Sequence, residues 1–151
     1  MEKIKNTFTV SSAEEMRYRG EVFAKKLKGG DIVALYGDLG SGKTTFVQGM
    51  AKGFGIKRRI ISPTFIIVRT YRLHRISKRK RALYFYHSDL YRVKSLDDIR
   101  GLGIQEIIGD LRNIVAIEWA EKMGNLLPEK RWDIHFAYQL EDKRLVQLER
   151  R

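Results

Sequence analysis

The stretch LYGDLGSGKTTF, Leu35 to Phe46, follows directly on the apolar residues Ile32, Val33 and Ala34. Within it Gly37-Asp38-Leu39-Gly40-Ser41-Gly42-Lys43-Thr44 matches the pattern G-x-x-x-x-G-K-[ST] in full. Each residue type has a chemical reason to be there. Glycines let the backbone curl until successive N–H groups point inward at phosphate oxygens, and a helix that follows adds its positive N-terminal end. Lys43 supplies a point charge to the β- and γ-phosphates, and the Thr44 hydroxyl is a ligand for Mg2+. The flanks are those the pattern requires: Ile32 to Tyr36 is a continuous apolar run of the kind buried on both faces of a parallel sheet. After the loop Phe46, Val47, Met50, Ala51 and Phe54 recur at helical spacing, with Gly53 and Gly55 closing the segment. A strand, a glycine loop and a helix in this order bind a nucleoside triphosphate with Mg2+.

Working outward, residues 6–10, NTFTV, alternate as a half-buried strand does, and Ser11 and Ser12 each have a glutamate three residues on, the mark of a capping box. The helix they start places Met16, Phe23, Ala24 and Leu27 on one face and is expected to end at Gly29-Gly30. Downstream, strands are expected from Thr64 to about Leu73 and from Ala82 to His87, joined by a charged hairpin tip, HRISKRKR at residues 74–81. Ser95 caps a short helix through Leu102, Ile114 to Ile117 is a second buried run, and Trp132 to Leu140 with Arg144 to Leu148 form a terminal hairpin turned at Glu141 to Lys143. Strands alternate with helices first and pair locally later, so a mixed sheet with helices packed on it is the economical architecture.

Composition sets outer bounds. A chain of 151 residues, 43% apolar, is the size of one domain, 1–151, and can bury a core without disulfides or metal. With no cysteine, a thiol nucleophile and a zinc–thiolate site are excluded. The segment MEKIKNTFTVSS lacks the apolar core of a signal peptide and no run approaches bilayer length, so a cytoplasmic location without membrane association is expected. The formal charge of +12 admits two readings: association with nucleic acid or another polyanion, or the charged surface of a protein from a hot-growing source.

A phosphate loop needs an acidic partner at the end of a neighbouring buried strand to hold the metal, directly or through water. Glu118, ending Ile114-Val115-Ala116-Ile117, and Asp89, following Leu83 to His87, both qualify; each is equally readable as a carboxylate capping the next turn. In Ser62-Pro63-Thr64 the threonine is placed to offer its hydroxyl to a γ-phosphate or an attacking water, though spacing alone favours a plain proline turn.

Taken together, GDLGSGKTTF, SPTF at 62–65, HSDLYR at 87–92, Gly101-Leu102-Gly103-Ile104, Ile117-Glu118-Trp119 and Leu127-Pro128 resemble the TsaE family, also called YjeE, in its order and spacing from about Thr9 to Arg144. The resemblance implies an α/β fold, a P-loop NTPase with a mixed, mainly parallel sheet flanked by helices and a C-terminal antiparallel hairpin. It implies an ATPase slow on its own that acts with TsaB and TsaD in making the threonylcarbamoyl modification on adenosine 37 of tRNAs reading ANN codons. Hydrolysis would reset that complex, and the protein would not itself transfer the group. Carried across, Lys43 and Thr44 keep their phosphate and Mg2+ roles, with Gly37 to Thr45 around the phosphates. Glu118 matches the metal-side glutamate, Asp89 the aspartate of the H-F-D-L-Y-R motif, and Thr64 the threonine of the switch-like S-P-T-[FY] segment, which overturns the plain-turn reading. Trp119 would lie near the nucleotide, and Ser11 or Ser12 with Lys143 or Arg144 near the base.

Two departures stand out. Ser88 replaces the phenylalanine of H-F-D-L-Y-R, and the basic segment 74–81 is longer than the family pattern, suited to tRNA phosphates, to an acidic partner face or to keeping a sheet edge soluble. Two rival functions remain: a small-molecule kinase with the same loop, and a nucleotide-dependent RNA-binding module without useful hydrolysis.

Overall fold

The computed structural model describes residues 5–61, 67–74 and 82–151. Seven strands form one sheet: β1 Lys5–Val10, β2 Ile32–Tyr36, β3 Val68–Arg72, β4 Tyr84–Asp89, β5 Asn113–Glu118, β6 Trp132–Tyr138 and β7 Arg144–Arg150. Their order across the sheet is β1-β7-β6-β2-β5-β4-β3. The middle is parallel, β6, β2, β5 and β4 running together, and both margins are antiparallel, with β3 on β4 and the β6–β7 hairpin carrying β1. This is the mixed sheet with a parallel centre and a C-terminal hairpin that the sequence implies.

The helices are α1 Ala13–Ala24, α2 Lys43–Gly53, α3 Leu96–Arg100 and α4 Ile104–Gly109, with a 3₁₀ segment at Ala120–Leu126. Alternation along the strands explains where the core lies. Val33, Leu35, Ile114, Ala116, Ile134 and Phe136 pack under α1 and α2, against Phe23, Phe46, Val47 and Met50. Ile32, Ala34, Val115 and Ile117 face the other way, toward Leu90, Ile99, Ile104 and Met123. The two central strands are covered on both faces, so their runs read as continuously apolar.

Helices α1 and α2 meet backbone to backbone. A Cβ on Gly20 would lie 2.1 Å from the Phe46 carbonyl oxygen, and one on Gly49 would lie 2.0 Å from that of Arg17. Only glycine fits at either crossing, and the contact fixes α2, and with it the loop at its N-terminus, against the rest of the fold.

Local signals hold well at element starts. Ser12 caps α1 by accepting from the Glu15 N–H at 3.1 Å, while Glu15 Oε2 accepts from the Ser11 N–H at 2.8 Å, so the box closes one residue earlier than its usual reciprocal form. Element ends differ more. α1 stops at Ala24 instead of running to Gly29-Gly30, because the chain tightens into i→i−3 bonds, Lys26 N–H to Phe23 and Leu27 N–H to Ala24, that still bury Leu27. β3 begins at Val68 among the described residues, and β7 continues to Arg150 because β6 gives it partners that far. α4 and the 3₁₀ segment carry no capping signal in the sequence: they start at Gly103 and Trp119, both in the left-handed region. The proposed basic tip, apart from His74, and the segment Ser62 to Ile66 lie outside the described residues.

Candidate functional site

β2 delivers the chain into the glycine loop, and α2 leaves it at Lys43. Gly42, the residue before the helix, has φ 109°, a left-handed conformation that favours glycine, and a Cβ there would press on the terminal methyl of Met16 at 2.6 Å. Lys43 is buried, and its ammonium donates to the carbonyls of Gly37 and of Asp38, the latter at 2.9 Å. The Trp119 ring covers it, with Nζ 4.3 Å from the ring centroid. Desolvation is the largest influence on this ammonium and pushes its pKa below the usual 10.5, against the opposing charges of Glu118, Glu121, Asp89 and Asp38. The Ser41 side chain is buried behind the loop, its hydroxyl without a partner among the described residues.

The parallel pairing of β5 beside β2 carries Glu118 to the start of α2. Its Oε1 accepts from the Thr44 hydroxyl at 2.7 Å, and its Oε2 is 3.2 Å from Nε2 of His87. Both partners come from other elements, 74 and 31 residues away. β4 pairs with β5 so that Asp89 is directly beside Glu118. Asp89 Oδ1 accepts from the Tyr91 N–H at 3.0 Å, turning the chain out of the sheet, and the Lys122 ammonium holds that turn by donating to the carbonyls of Tyr91 and Val93. Tyr91 in turn packs on Trp119, ring centroids 5.2 Å apart.

These groups line one cleft of about 310 Å³, walled by Gly40, Lys43, Thr44, Asp89, Glu118 and Trp119, with Leu39, Gly42 and Thr45 on the loop side. A second cleft of similar volume adjoins the loop from the other side, where Ser11, Ser12, Gly40, Thr45 and Arg144 meet. Of the two basic residues assigned to the base, Arg144 lines this cleft, whereas the Lys143 ammonium lies 3.7 Å from Glu141. Thr64 falls outside the described residues. His87, Tyr91 and Arg92 carry no separate signal of a role in the sequence beyond their place in HSDLYR; for His87 the one hint is a histidine in an otherwise apolar strand run. Ser88, the departure from the motif, is buried and alternates to the opposite face of β4 from His87 and Asp89.

A strand, a Gly-x-x-x-x-Gly-Lys-Thr loop and a helix, flanked by an acidic strand end, define a P-loop protein. The family model for the threonylcarbamoyl adenosine biosynthesis protein TsaE matches residues 10–146. The tRNA threonylcarbamoyladenosine biosynthesis protein TsaE of Rickettsia bellii is 36% identical over 149 residues, 98% of this chain and 97% of that protein. Its counterpart in Bacillus subtilis is 36% identical over 133 residues, covering 88% and 78%. A crystal structure of Bacillus subtilis YdiB superposes with a TM-score of 0.75 at 29% identity, covering 99% of this chain and 88% of that one. The chain belongs to the TsaE family, which takes part in tRNA threonylcarbamoyladenosine biosynthesis. Among the described residues no helix is long and apolar enough to cross a membrane.

Proposed function

We propose that the chain is a Mg-dependent ATPase, weak alone, that works with TsaB and TsaD to form N6-threonylcarbamoyladenosine at position 37 of tRNAs reading ANN codons, with hydrolysis resetting the complex. The observation that carries this reading is the 2.7 Å contact between Thr44 Oγ1 and a buried Glu118, beside an ammonium already cradled by the loop. The donor set suits Mg2+, a hard ion that takes one or two protein oxygens and fills its remaining positions with phosphate and water. Thr44 and Glu118 would hold it, and its contribution when bound is to neutralise charge on the β- and γ-phosphate oxygens.

The rest of the chemistry falls to the chain. Lys43 and the loop N–H groups bind the phosphates, and the second cleft, with Ser11, Ser12 and Arg144, receives the base. Asp89 or Thr64 orients the water that attacks the γ-phosphorus in line as the bond to the β–γ bridging oxygen breaks. Docking with TsaB and TsaD completes this arrangement, and the basic surface adds contact with tRNA.

Steady-state phosphate release from Mg-ATP, by the chain alone and then with matched TsaB and TsaD, tests the reading. The pair is expected to stimulate release, and Lys43→Ala and Glu118→Ala each to lower the stimulated rate by about 100-fold or more. Binding of ATP with no response to the pair would reject the partner assignment, and phosphate passed to an added acceptor instead of water would favour a kinase.

A further inference from the structure

His87 is fully buried on β4, with its Nε2 against Glu118, the carboxylate proposed to hold the metal with Thr44. On the same face of the sheet Phe85 lies on one side of it and Asp89 on the other, so the imidazole occupies the step between the apolar core and the cleft. Its Nε2 is 3.2 Å from Glu118 Oε2, while Glu118 Oε1 accepts from Thr44. An ionised carboxylate only accepts, so this contact is a hydrogen bond only when Nε2 carries the proton. Nδ1 has no partner among the described residues, so nothing there draws the proton to the other nitrogen. The side chain is therefore well placed as a fixed donor. One oxygen of Glu118 is tied back into the core, and the other is thereby aimed at Thr44.

We propose that His87 is a positioning residue for the metal: its Nε2–H orients Glu118 so that Oε1, beside Thr44 Oγ1, faces the ion that accompanies the triphosphate. Partners of this kind behind a ligating group typically change metal affinity by 10–100-fold when removed. The inference rests on the Mg-ATP reading, but it concerns a different quantity, the gain in ATP affinity that magnesium confers, and leaves binding of the bare triphosphate to Lys43 and the loop.

The test is the ratio of ATP dissociation constants, measured by calorimetry, in EDTA and in excess magnesium, for the wild-type chain and for His87→Leu, His87→Gln and His87→Asn. The Gln amide nitrogen reaches the place of Nε2, and the shorter Asn amide reaches only that of Nδ1. The expected result is that Leu and Asn shrink the wild-type ratio about tenfold or more, that Gln restores most of it, and that the EDTA constant stays within about threefold throughout. Circular dichroism shows which variants fold; if Leu does not, the contrast between Gln and Asn decides alone. An unchanged ratio in Leu or Asn, equal losses with and without magnesium, or Gln behaving as Asn does would overturn the proposal. A wild-type ratio near one would instead reject the Mg-ATP reading itself, and this proposal with it.

Discussion

Lys43 donates to two loop carbonyls, lies under the Trp119 ring and is withdrawn from water, and this burial holds its pKa below 10.5. The sign of the consequence follows from which form each state favours. The empty fold disfavours the ammonium, so this group's contribution to stability improves as pH rises through its folded pKa. A bound triphosphate favours the ammonium, so affinity for ATP should decline as pH rises through that folded pKa, before 10.5 is reached. Calorimetric titration at a series of alkaline pH values, with circular dichroism to confirm the fold, checks this; affinity that stayed level up to 10.5 would mean that the ammonium is not the phosphate ligand. The roles proposed for Lys43 and Thr44 are legible in the sequence because eight consecutive residues carry the loop pattern. Those proposed for Glu118 and Asp89 are legible only as alternatives, since a strand-end acid and a metal-side acid look alike until the neighbouring strand is known.

Between elements, the α1–α2 crossing is the contact on which the loop's placement depends. Alanine in an exposed helix normally stabilises relative to glycine by about 1 kcal/mol. At Gly20 the added methyl would meet a carbonyl oxygen at 2.1 Å, with backbone on both sides and nothing flexible to yield. Gly20→Ala is therefore expected to destabilise the fold by about 2–3 kcal/mol and, by levering α2 away, to weaken ATP binding as well. Urea denaturation measures the first and calorimetry the second; a neutral or stabilising substitution would show that the helices have room to separate. The sequence marks Met16, Phe23 and Ala24 as an apolar face but is silent on which helix that face meets, because periodicity records burial and not the partner.

For the whole molecule, an excess of positive charge and a nucleotide site are separate properties. The net charge of +12 should produce weak, sequence-indifferent affinity for RNA even without TsaB and TsaD. Filter binding of tRNA between about 50 and 200 mM salt should show a loss of affinity of at least about tenfold, and a salt-insensitive interaction would point to a shaped RNA site instead. The sequence by itself determined the phosphate loop, the helix it opens, the capped start of α1, the terminal hairpin and, through six motifs in register, the family. These are local or depend on linear order, and side-chain chemistry at fixed spacing records both. Only the tertiary structure decided that β5 lies beside β2, which sets Glu118 on Thr44, and that β4 lies beside β5, which sets Asp89 and His87 against Glu118. It likewise chose Arg144 over Lys143 for the second cleft. Strand order is fixed by how apolar faces and crossover connections pack in three dimensions, and no spacing along the chain encodes it.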